Sequence, residues 1–181
     1  MKISIPDRLE SRLAGLCAAS GLGKSAALPR PRFIRAWKAL GRLGMTGLPF
    51  PSKFGGSGIS LAETVRALES LGRYAGFDGL ALSLGAQMWA VQSPLLEFGT
   101  PEQKRRFLTP LCRGKAMAAP AMTEKDAGSG VLGMRSLAEP AGSGCRVTGE
   151  KTCVTNAPLA DFFLVWARVP GRQGPMSLDC L

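Results

Sequence analysis

Met122-Thr-Glu-Lys-Asp-Ala-Gly-Ser129, followed later in the chain by Lys151-Thr-Cys-Val-Thr-Asn-Ala157, is the most informative feature of this sequence. We call residues 122–129 the first motif and residues 151–157 the second motif. Each motif combines hydroxyl side chains with small residues and adjoins an apolar run. Small residues let a ligand approach the backbone closely, and hydroxyls hydrogen-bond the polar edges of such a ligand. The pair therefore predicts a ligand-binding site.

The composition around the motifs suits one globular domain or two small ones. The chain has 181 residues, of which 45% are hydrophobic and 20% charged, and this length allows a real core. No uninterrupted apolar stretch is long enough for a transmembrane helix, and the N-terminal residues lack the apolar core of a signal peptide. We therefore expect no membrane span and a cytoplasmic location.

The cysteine and histidine content excludes several kinds of site. The sequence has no histidine, and its five cysteines form no Cys-x-x-Cys pair. A structural zinc site needs a tight cluster of ligands, and catalysis by Ser-His-Asp, Cys-His or a histidine acid–base group needs an imidazole. We therefore expect free, reduced thiols and no metal site.

The net charge of +10 lies entirely in the first part of the chain. Residues 1–115 hold 17 Lys+Arg against 7 Asp+Glu, whereas residues 116–181 hold 6 of each. Such a surplus occurs in proteins that bind nucleic acid or a phosphorylated ligand, and also on plain solvated surfaces. The basic residues are spread over predicted helices without interleaved aromatic residues for stacking, so we favour the solvated surface and expect no nucleic-acid partner.

The first part of the chain reads as helical. Leucines at helical spacing, a Ser60–Glu63 capping box, and Thr100 followed by Pro101 and Gln103 mark the helices or their starts. The glycine- and proline-rich residues 47–58 read as a loop, and Pro94 is expected to interrupt or kink the fourth helix. The predicted helices cover residues 8–19, 32–44, 60–75, 77–98 and 100–112.

From residue 116 the pattern changes to short extended segments separated by Gly, Pro and Ser turns. The run 162–167 is apolar throughout and predicts a strand buried on both faces. The fold class is therefore α+β, with an all-helical N-terminal domain (1–115) followed by an incomplete small β-barrel or sheet domain (116–181). The predicted extended segments cover residues 116–122, 134–139, 145–148, 151–154, 162–167 and 176–181.

A glycine pattern overlapping the first motif is a false lead. Residues 128–133 match Gly-x-Gly-x-x-Gly, the dinucleotide-binding fingerprint. That fingerprint works only when a helix follows and places its N-terminus at the pyrophosphate. The sequence after Gly133 reaches Pro140 too soon for a crossover helix, so we predict a glycine loop.

The two motifs together resemble the flavin-binding segments of the acyl-CoA dehydrogenase family. The resemblance extends over most of the chain: residues 44–59 look like the loop into that family's helical domain, and residues 98–114 look like the helix that ends it. Residues 156–161 and the strand after them look like the start of its β-domain. The resemblance implies FAD as cofactor, lying between a helical domain and a β-domain, and α,β-desaturation of an acyl thioester in fatty acid metabolism.

The resemblance also implies roles for individual residues. Ala121, Met122 and Thr123 would line the flavin ring and bond its pyrimidine edge, and Gly128 and Ser129 would contact the flavin pyrophosphate. Ser129 would also lie near the thioester substrate. In the second motif, Cys153, Val154 and Thr155 would flank the ring, and Thr155 would bond its reducible nitrogen. Donors at this edge stabilise the negative charge that develops on reduction, while the cofactor performs the redox chemistry.

The motifs depart from the family pattern at three places. Lys125 and Asp126 stand where the family has Pro-Gly, Gly130 replaces an aspartate, and Cys153 replaces an aromatic residue. The last change removes a stacking surface, about 0.5–1.5 kcal/mol of aromatic contact, so we expect an altered flavin affinity or potential, or a divergent subfamily. Glu124 has a structural role in our interpretation, rather than that of a replacement catalytic base.

The resemblance places the family's catalytic carboxylate in a C-terminal helical domain. No residue of this sequence matches that carboxylate. We therefore expect a truncated chain with no catalytic residue of its own and little activity alone. The complete enzyme would act on acyl-CoA or an acyl carrier protein thioester, pass electrons to a partner protein and form a homo-oligomer. The alternative is a non-enzymatic, truncated or degenerate helical binding module without flavin.

Overall fold

The computed structural model describes residues 7–19, 29–142, 144–172 and 178–180. The chain divides into two compact units, Met1–Met117 and Ala118–Leu181. The described residues of the first unit are helical, and those of the second form strands and short turns. The predicted fold class, a helical part followed by a sheet part, is confirmed.

The helices of the first unit follow the predicted pattern closely. Helix two begins at Arg30, before the predicted residue 32, because Pro31 occupies its first turn, where a missing N–H breaks no helical hydrogen bond. The described α-helices are α1 (Asp7–Ala19), α2 (Arg30–Arg42), α3 (Leu61–Ala75), α4 (Asp78–Gln87), α5 (Ser93–Phe98), α6 (Pro101–Gln103) and α7 (Thr109–Cys112).

Both predicted capping boxes are present. The Ser60 hydroxyl accepts from the Glu63 amide at 3.3 Å, and the Glu63 carboxylate accepts from the Ser60 amide at 2.9 Å. Thr100 and Gln103 form the same reciprocal pair. Each box satisfies backbone donors that a helix start otherwise leaves without partners.

Two wide helical turns connect the later helices. A π-turn at Met88–Gln92 joins α4 to α5, and another at Lys104–Leu108 joins α6 to α7. Pro94 and Pro110 lie just beyond these turns. Because proline lacks an N–H, the usual i→i−4 ladder cannot continue there, and the turn widens. The kink predicted near Pro94 thus takes the form of a π-turn.

The predicted loop at residues 47–58 is more ordered than its composition suggested. A 3₁₀ turn at Met45–Gly47 leads into it, a second 3₁₀ turn lies within it at Ser52–Phe54, and Phe50 between them is nearly completely buried. A Cβ placed on Gly47 would lie 2.6 Å from the Cys112 carbonyl oxygen. Glycine is therefore required where this loop crosses the end of α7.

The second unit is built on a mixed sheet with its longest strand in the middle. This longest strand covers residues 162–168. Its first half pairs in parallel with the first strand (118–121), and its second half pairs with the second strand (137–141) and the fifth strand (178–180). The second and third strands form an antiparallel hairpin. The described strands are β1 (Ala118–Ala121), β2 (Leu137–Ala141), β3 (Gly144–Thr148), β4 (Phe162–Arg168) and β5 (Leu178–Cys180).

Two predictions for this unit are wrong. Residues 151–154 form no strand, because Cys153 adopts the left-handed region with a φ of 53° and turns the chain. Strand β4 is not buried on both faces: Phe163 is 44% exposed, and in this strand only Ala167 is buried. Within the described part of this unit there are strands and 3₁₀ turns but no helix to cover the faces of the sheet.

The described helices include none that is both long and apolar enough to cross a membrane. All five cysteines lie within the described residues and form no disulfide there. Of the predicted segment 176–181, only Leu178–Cys180 lies within the described residues, and it pairs antiparallel with β4.

Candidate cofactor-binding site

The first motif begins where strand β1 ends. Ala121, the last residue of β1, pairs with Val165 of β4 and is 5% exposed. Met122 and Thr123 follow at the end of the strand and are half-buried. Parallel pairing of β1 with β4 therefore fixes where the backbone of the first motif begins.

The second motif reaches the first through the backbone. The Thr152 amide donates to the Thr123 carbonyl at 2.8 Å. The side chain of Asn156 also donates to the Ala118 carbonyl at 3.2 Å, at the start of β1. Two stretches far apart in sequence thus form one cluster within the second unit.

Lys151 adds a charged link between the motifs. Its ammonium donates to the Met122 carbonyl at 3.0 Å and to the Glu124 carboxylate at 2.8 Å. The side chains of Lys151 and Glu124 are only 10% and 9% exposed. The two motifs are therefore joined by a largely buried ion pair as well as by the backbone bond.

Glu124 is held by several donors besides Lys151. Its oxygens accept from the Arg135 amide at 2.7 Å, from the Ser136 amide at 2.9 Å and from the Ser136 hydroxyl. Burial alone would raise the pKa of this carboxyl, but the hydrogen bonds from Lys151, Ser136 and the two amides outweigh it and lower the pKa to about 2. Glu124 is thus ionised near neutral pH and holds backbone and side-chain donors in place, in agreement with our interpretation of the sequence.

Lys125 and Asp126, two residues at which the first motif departs from the pattern it resembles, lie at the tip of a tight turn. The Glu124 and Ala127 backbones exchange two hydrogen bonds of 3.2 Å, which leaves Lys125 and Asp126 exposed at the tip. Asp126 forms a long, solvent-exposed ion pair with Arg135, at 3.6 Å. These two substitutions therefore lie at the surface of the turn and leave its hydrogen bonds intact.

The hydroxyl groups of the motifs are available for a ligand. Within the described residues, the hydroxyls of Thr123, Ser129 and Thr155 make no hydrogen bond. Thr123 and Thr155 are half-buried, and Ser129 is exposed. A Cβ added at Gly128 would meet no atom within 4 Å, so there is open space over the backbone beside Ser129.

The second motif owes its shape to two residues with positive φ. Cys153 has a φ of 53° and Asn156 a φ of 71°. Non-glycine residues adopt this region uncommonly, and such positions often accompany functional sites. Val154 and Thr155 lie half-buried between them, while Cys153 is exposed.

The sequence matches two models of one family along almost its whole length. Residues 20–115 match the acyl-CoA dehydrogenase N-terminal domain, and residues 119–179 match the acyl-CoA dehydrogenase middle domain. The chain belongs to the acyl-CoA dehydrogenase family. Both motifs lie in the middle-domain match.

The chain is also similar to individual dehydrogenases. The chain is 39% identical over 143 residues to an L-prolyl-[peptidyl-carrier protein] dehydrogenase of a Serratia species, covering 79% of this chain and 37% of the relative. It is 36% identical over 141 residues to the mitochondrial isovaleryl-CoA dehydrogenase of Bos taurus, covering 78% of this chain and 33% of that protein. The chain thus spans about a third of the length of these relatives.

Solved structures of the family share the fold. A structure of PigA with FAD and proline superposes with a TM-score of 0.84 at 31% identity, covering 99% of this chain and 48% of that one. Butyryl-CoA dehydrogenase from Megasphaera elsdenii gives a TM-score of 0.77 at 26% identity, covering 100% and 50%. The solved relatives include FAD complexes.

The donor groups of this acyl-CoA dehydrogenase-family chain suit FAD. A flavin has a polar ring edge and a charged pyrophosphate, which call for hydroxyl and amide donors beside small residues. Thr123, Thr155 and Ser129 provide hydroxyls that are unused within the described residues, and Gly128 provides open backbone. By contrast, the described residues contain no cluster of three side chains suited to a metal ion.

Sequence reasoning missed what holds the site together. Lys151 is the first residue of the second motif, but its residue type alone assigns it no role, and Ser136 lies outside both motifs. The first motif carries Glu124, Lys125 and Asp126 in succession, so the sequence alone cannot tell which acid faces inward. A charged residue beginning a motif otherwise built from small, apolar and hydroxyl residues was the available signal for Lys151.

Proposed function

We propose that this chain is the flavin-binding part of an FAD-dependent acyl-thioester dehydrogenase. The observation that carries the proposal is the cluster of hydroxyls at Thr123, Ser129 and Thr155, which make no hydrogen bonds within the described residues and lie on two motifs joined by the Thr152–Thr123 bond of 2.8 Å. In the family, the α proton of the thioester leaves to a base while the β hydride is transferred. Bound FAD supplies the acceptor for that hydride.

Each motif residue then has a distinct task. Ala121, Met122 and Thr123 would bind the pyrimidine edge of the ring, with the Thr123 hydroxyl as an added donor. Cys153, Val154 and Thr155 would flank the ring, and Thr155 would bond its reducible nitrogen. Such donors would stabilise negative charge at the ring edge.

We assign binding of the flavin pyrophosphate to the end of the first motif. Gly128 leaves room above its backbone, because an added Cβ would contact nothing within 4 Å. Ser129 beside it is exposed and offers a hydroxyl donor. We assign Gly128 and Ser129 to the pyrophosphate, and Ser129 also to the substrate thioester.

Glu124 does not remove the substrate proton. Both of its oxygens accept hydrogen bonds, and those bonds hold its pKa at about 2. A general base works best with a pKa near the working pH. The family's catalytic carboxylate belongs to its C-terminal helical domain, so the dehydrogenase reaction is proposed for a protein that includes that domain.

A basic wall on α2 supports an anionic carrier for the thioester. A cavity of about 430 Å³ lies beside α2, and Arg32, Arg35, Lys38 and Arg42 line it from one side of that helix. Clustered positive charge raises the association rate of anionic ligands in a salt-dependent way. We therefore propose that this wall attracts a phosphorylated carrier, coenzyme A or an acyl carrier protein, and on family grounds that the complete protein is oligomeric and uses an electron-transfer partner.

The carrier proposal is tested by charge reversal. Arg35→Glu combined with Lys38→Glu should slow the association of octanoyl-CoA with the FAD-loaded chain at low salt and flatten the salt dependence of that rate. Stopped-flow fluorescence measures both quantities. Lys53→Glu, at an exposed lysine outside the wall, is the control. An association rate that does not respond to the double substitution contradicts the role of the wall.

The flavin proposal is tested by titrating the purified 181-residue chain with FAD. We expect saturable quenching of flavin fluorescence and retained visible absorption after gel filtration. Gly128→Val should abolish binding by filling the open space, whereas Gly144→Val, at an equally open and exposed position on β3, should not. A chain that is folded by circular dichroism yet retains no flavin contradicts the proposal and favours the alternative, a helical binding module without flavin.

A further inference from the structure

We propose that Lys151 is a positioning residue, which sets the geometry of the first motif so that its backbone faces the flavin edge. The inference rests on the proposed function. Lys151 would not touch the cofactor. It acts through the peptide group between Met122 and Thr123.

The argument starts from the planarity of that peptide group. The Lys151 ammonium holds the Met122 carbonyl at 3.0 Å. In a planar trans peptide the following N–H, that of Thr123, points the opposite way. Fixing the carbonyl therefore fixes the direction of the Thr123 N–H, one of the main-chain groups assigned to the flavin.

The next peptide group is fixed as well. The Thr123 carbonyl accepts from the Thr152 amide at 2.8 Å, and the Glu124 amide donates to the Ala127 carbonyl at 3.2 Å. Thr152 is the residue directly after Lys151. The start of the second motif thus holds two successive carbonyls of the first motif, one through a side chain and one through the backbone.

The ammonium is itself held in place by Glu124. That carboxylate also accepts from the amide and hydroxyl of Ser136, and the Ser136 carbonyl accepts from the Arg168 amide at 2.8 Å, at the end of β4. Gly149 packs so closely against Ser136 that an added Cβ would overlap its side chain. The chain of contacts therefore anchors Lys151 to the central strand of the sheet.

Stability alone is a poor reason for this arrangement. Burying two charges costs desolvation free energy that their attraction barely offsets, and buried pairs can often be replaced by apolar residues without loss of stability. What a buried pair does provide is a defined geometry for its hydrogen-bond partners. At this pair, those partners include the backbone of a motif assigned to the cofactor.

Two measurements on the full chain test this role, one of them without any cofactor. Lys151→Met should accelerate hydrogen exchange of the Thr152 amide in flavin-free protein, and it should weaken FAD binding, each by about tenfold or more, the effect of losing one charge-assisted hydrogen bond. Lys151→Arg should recover part of both. Lys125→Met removes the same charge at an exposed position next to Glu124, and we expect it to change neither by more than about twofold.

A second variant covers the case in which Lys151→Met fails to fold. Lys151→Met combined with Glu124→Leu leaves no unpaired buried charge and should fold, while its FAD affinity should stay low. Wild-type affinity in that double variant, or unchanged Thr152 exchange in Lys151→Met, overturns the positioning role. Failure of the wild-type chain to bind FAD contradicts the proposed function instead, and the exchange of Thr152 still decides whether Lys151 couples the motifs.

Discussion

Among the described residues, each unit contains a buried polar network, and these two networks differ in charge. In the helical unit, the Gln92 amide donates to the Thr46 carbonyl at 3.1 Å and to the Cys112 sulfur at 3.3 Å, and every member is neutral. In the sheet unit, the network centres on the ion pair of Lys151 and Glu124. The neutral network joins two helical elements, the turn that ends at Gln92 and α7, to the 3₁₀ turn at Met45–Gly47. The charged network holds the two irregular motifs.

The difference reflects what each network must fix. Helices satisfy their own backbone groups, so a few neutral side-chain bonds suffice between them. An irregular motif leaves carbonyls and amides without such partners, and a charged side chain satisfies several of them at once. The charged network therefore occurs where the backbone is least regular and where we place the cofactor.

The largest expected effect comes from removing the acid of the charged network. Glu124→Leu leaves Lys151 buried without its counter-charge and should lower the free energy of unfolding of the sheet unit by about 3–5 kcal/mol. Native-state hydrogen exchange of the β4 amides measures this loss. Glu139→Leu, at an exposed position on β2, is the control. A loss below about 1 kcal/mol, the range of exposed pairs, would remove the contrast between the networks.

Acid should weaken the charged network and leave the neutral one unaffected. The pKa of Glu124 is about 2 in the folded chain against 4.5 for the free side chain, so its contribution is fully present above pH 4.5 and is lost as the pH falls towards 2. The difference corresponds to roughly 3 kcal/mol. Exchange of the β4 amides measured over this range in the wild type and in Glu124→Gln checks it. Parallel pH profiles for the two proteins would show that Glu124 is not the group responsible.

A smaller effect is expected from the neutral network. Gln92→Leu removes the donors to the Thr46 carbonyl and the Cys112 sulfur and should cost about 1–3 kcal/mol. The loss should be the same from pH 4 to pH 7, since burial raises the pKa of Cys112 to about 11 and keeps this thiol neutral. Hydrogen exchange of the α3 amides measures this loss of stability. Glu97→Gln, at an exposed position on α5, is the control. A pH-dependent loss would show that a charge takes part in this network.

The helical unit could be predicted from sequence because its signals are local. The capping residues Ser60 and Thr100 and the spacing of leucines depend only on neighbours within one or two turns. The π-turns were only partly foreseen: Pro94 indicated a kink, but the form that the kink takes depends on how the chain packs around it.

The sheet unit was less predictable because its decisive contacts are distant in sequence. Residues 151–154 of the second motif read as extended, yet positive φ at Cys153, and at Asn156 shortly after it, turns the chain. The apolar run of β4 predicted burial on both faces, which a single-layer sheet does not provide within its own unit. The family resemblance located the two motifs, but the bond between Thr123 and Thr152 and the role of Lys151 required the three-dimensional structure.

The most direct test of the central claim is an NMR titration of the isotope-labelled 181-residue chain with FAD. If the two motifs form the cofactor site, the largest amide shifts should fall on Thr123, Ser129 and Thr155, with smaller shifts at their neighbours in the motifs. Saturating FAD that leaves these amides unmoved, or moves chiefly amides outside the two motifs, would contradict the assignment.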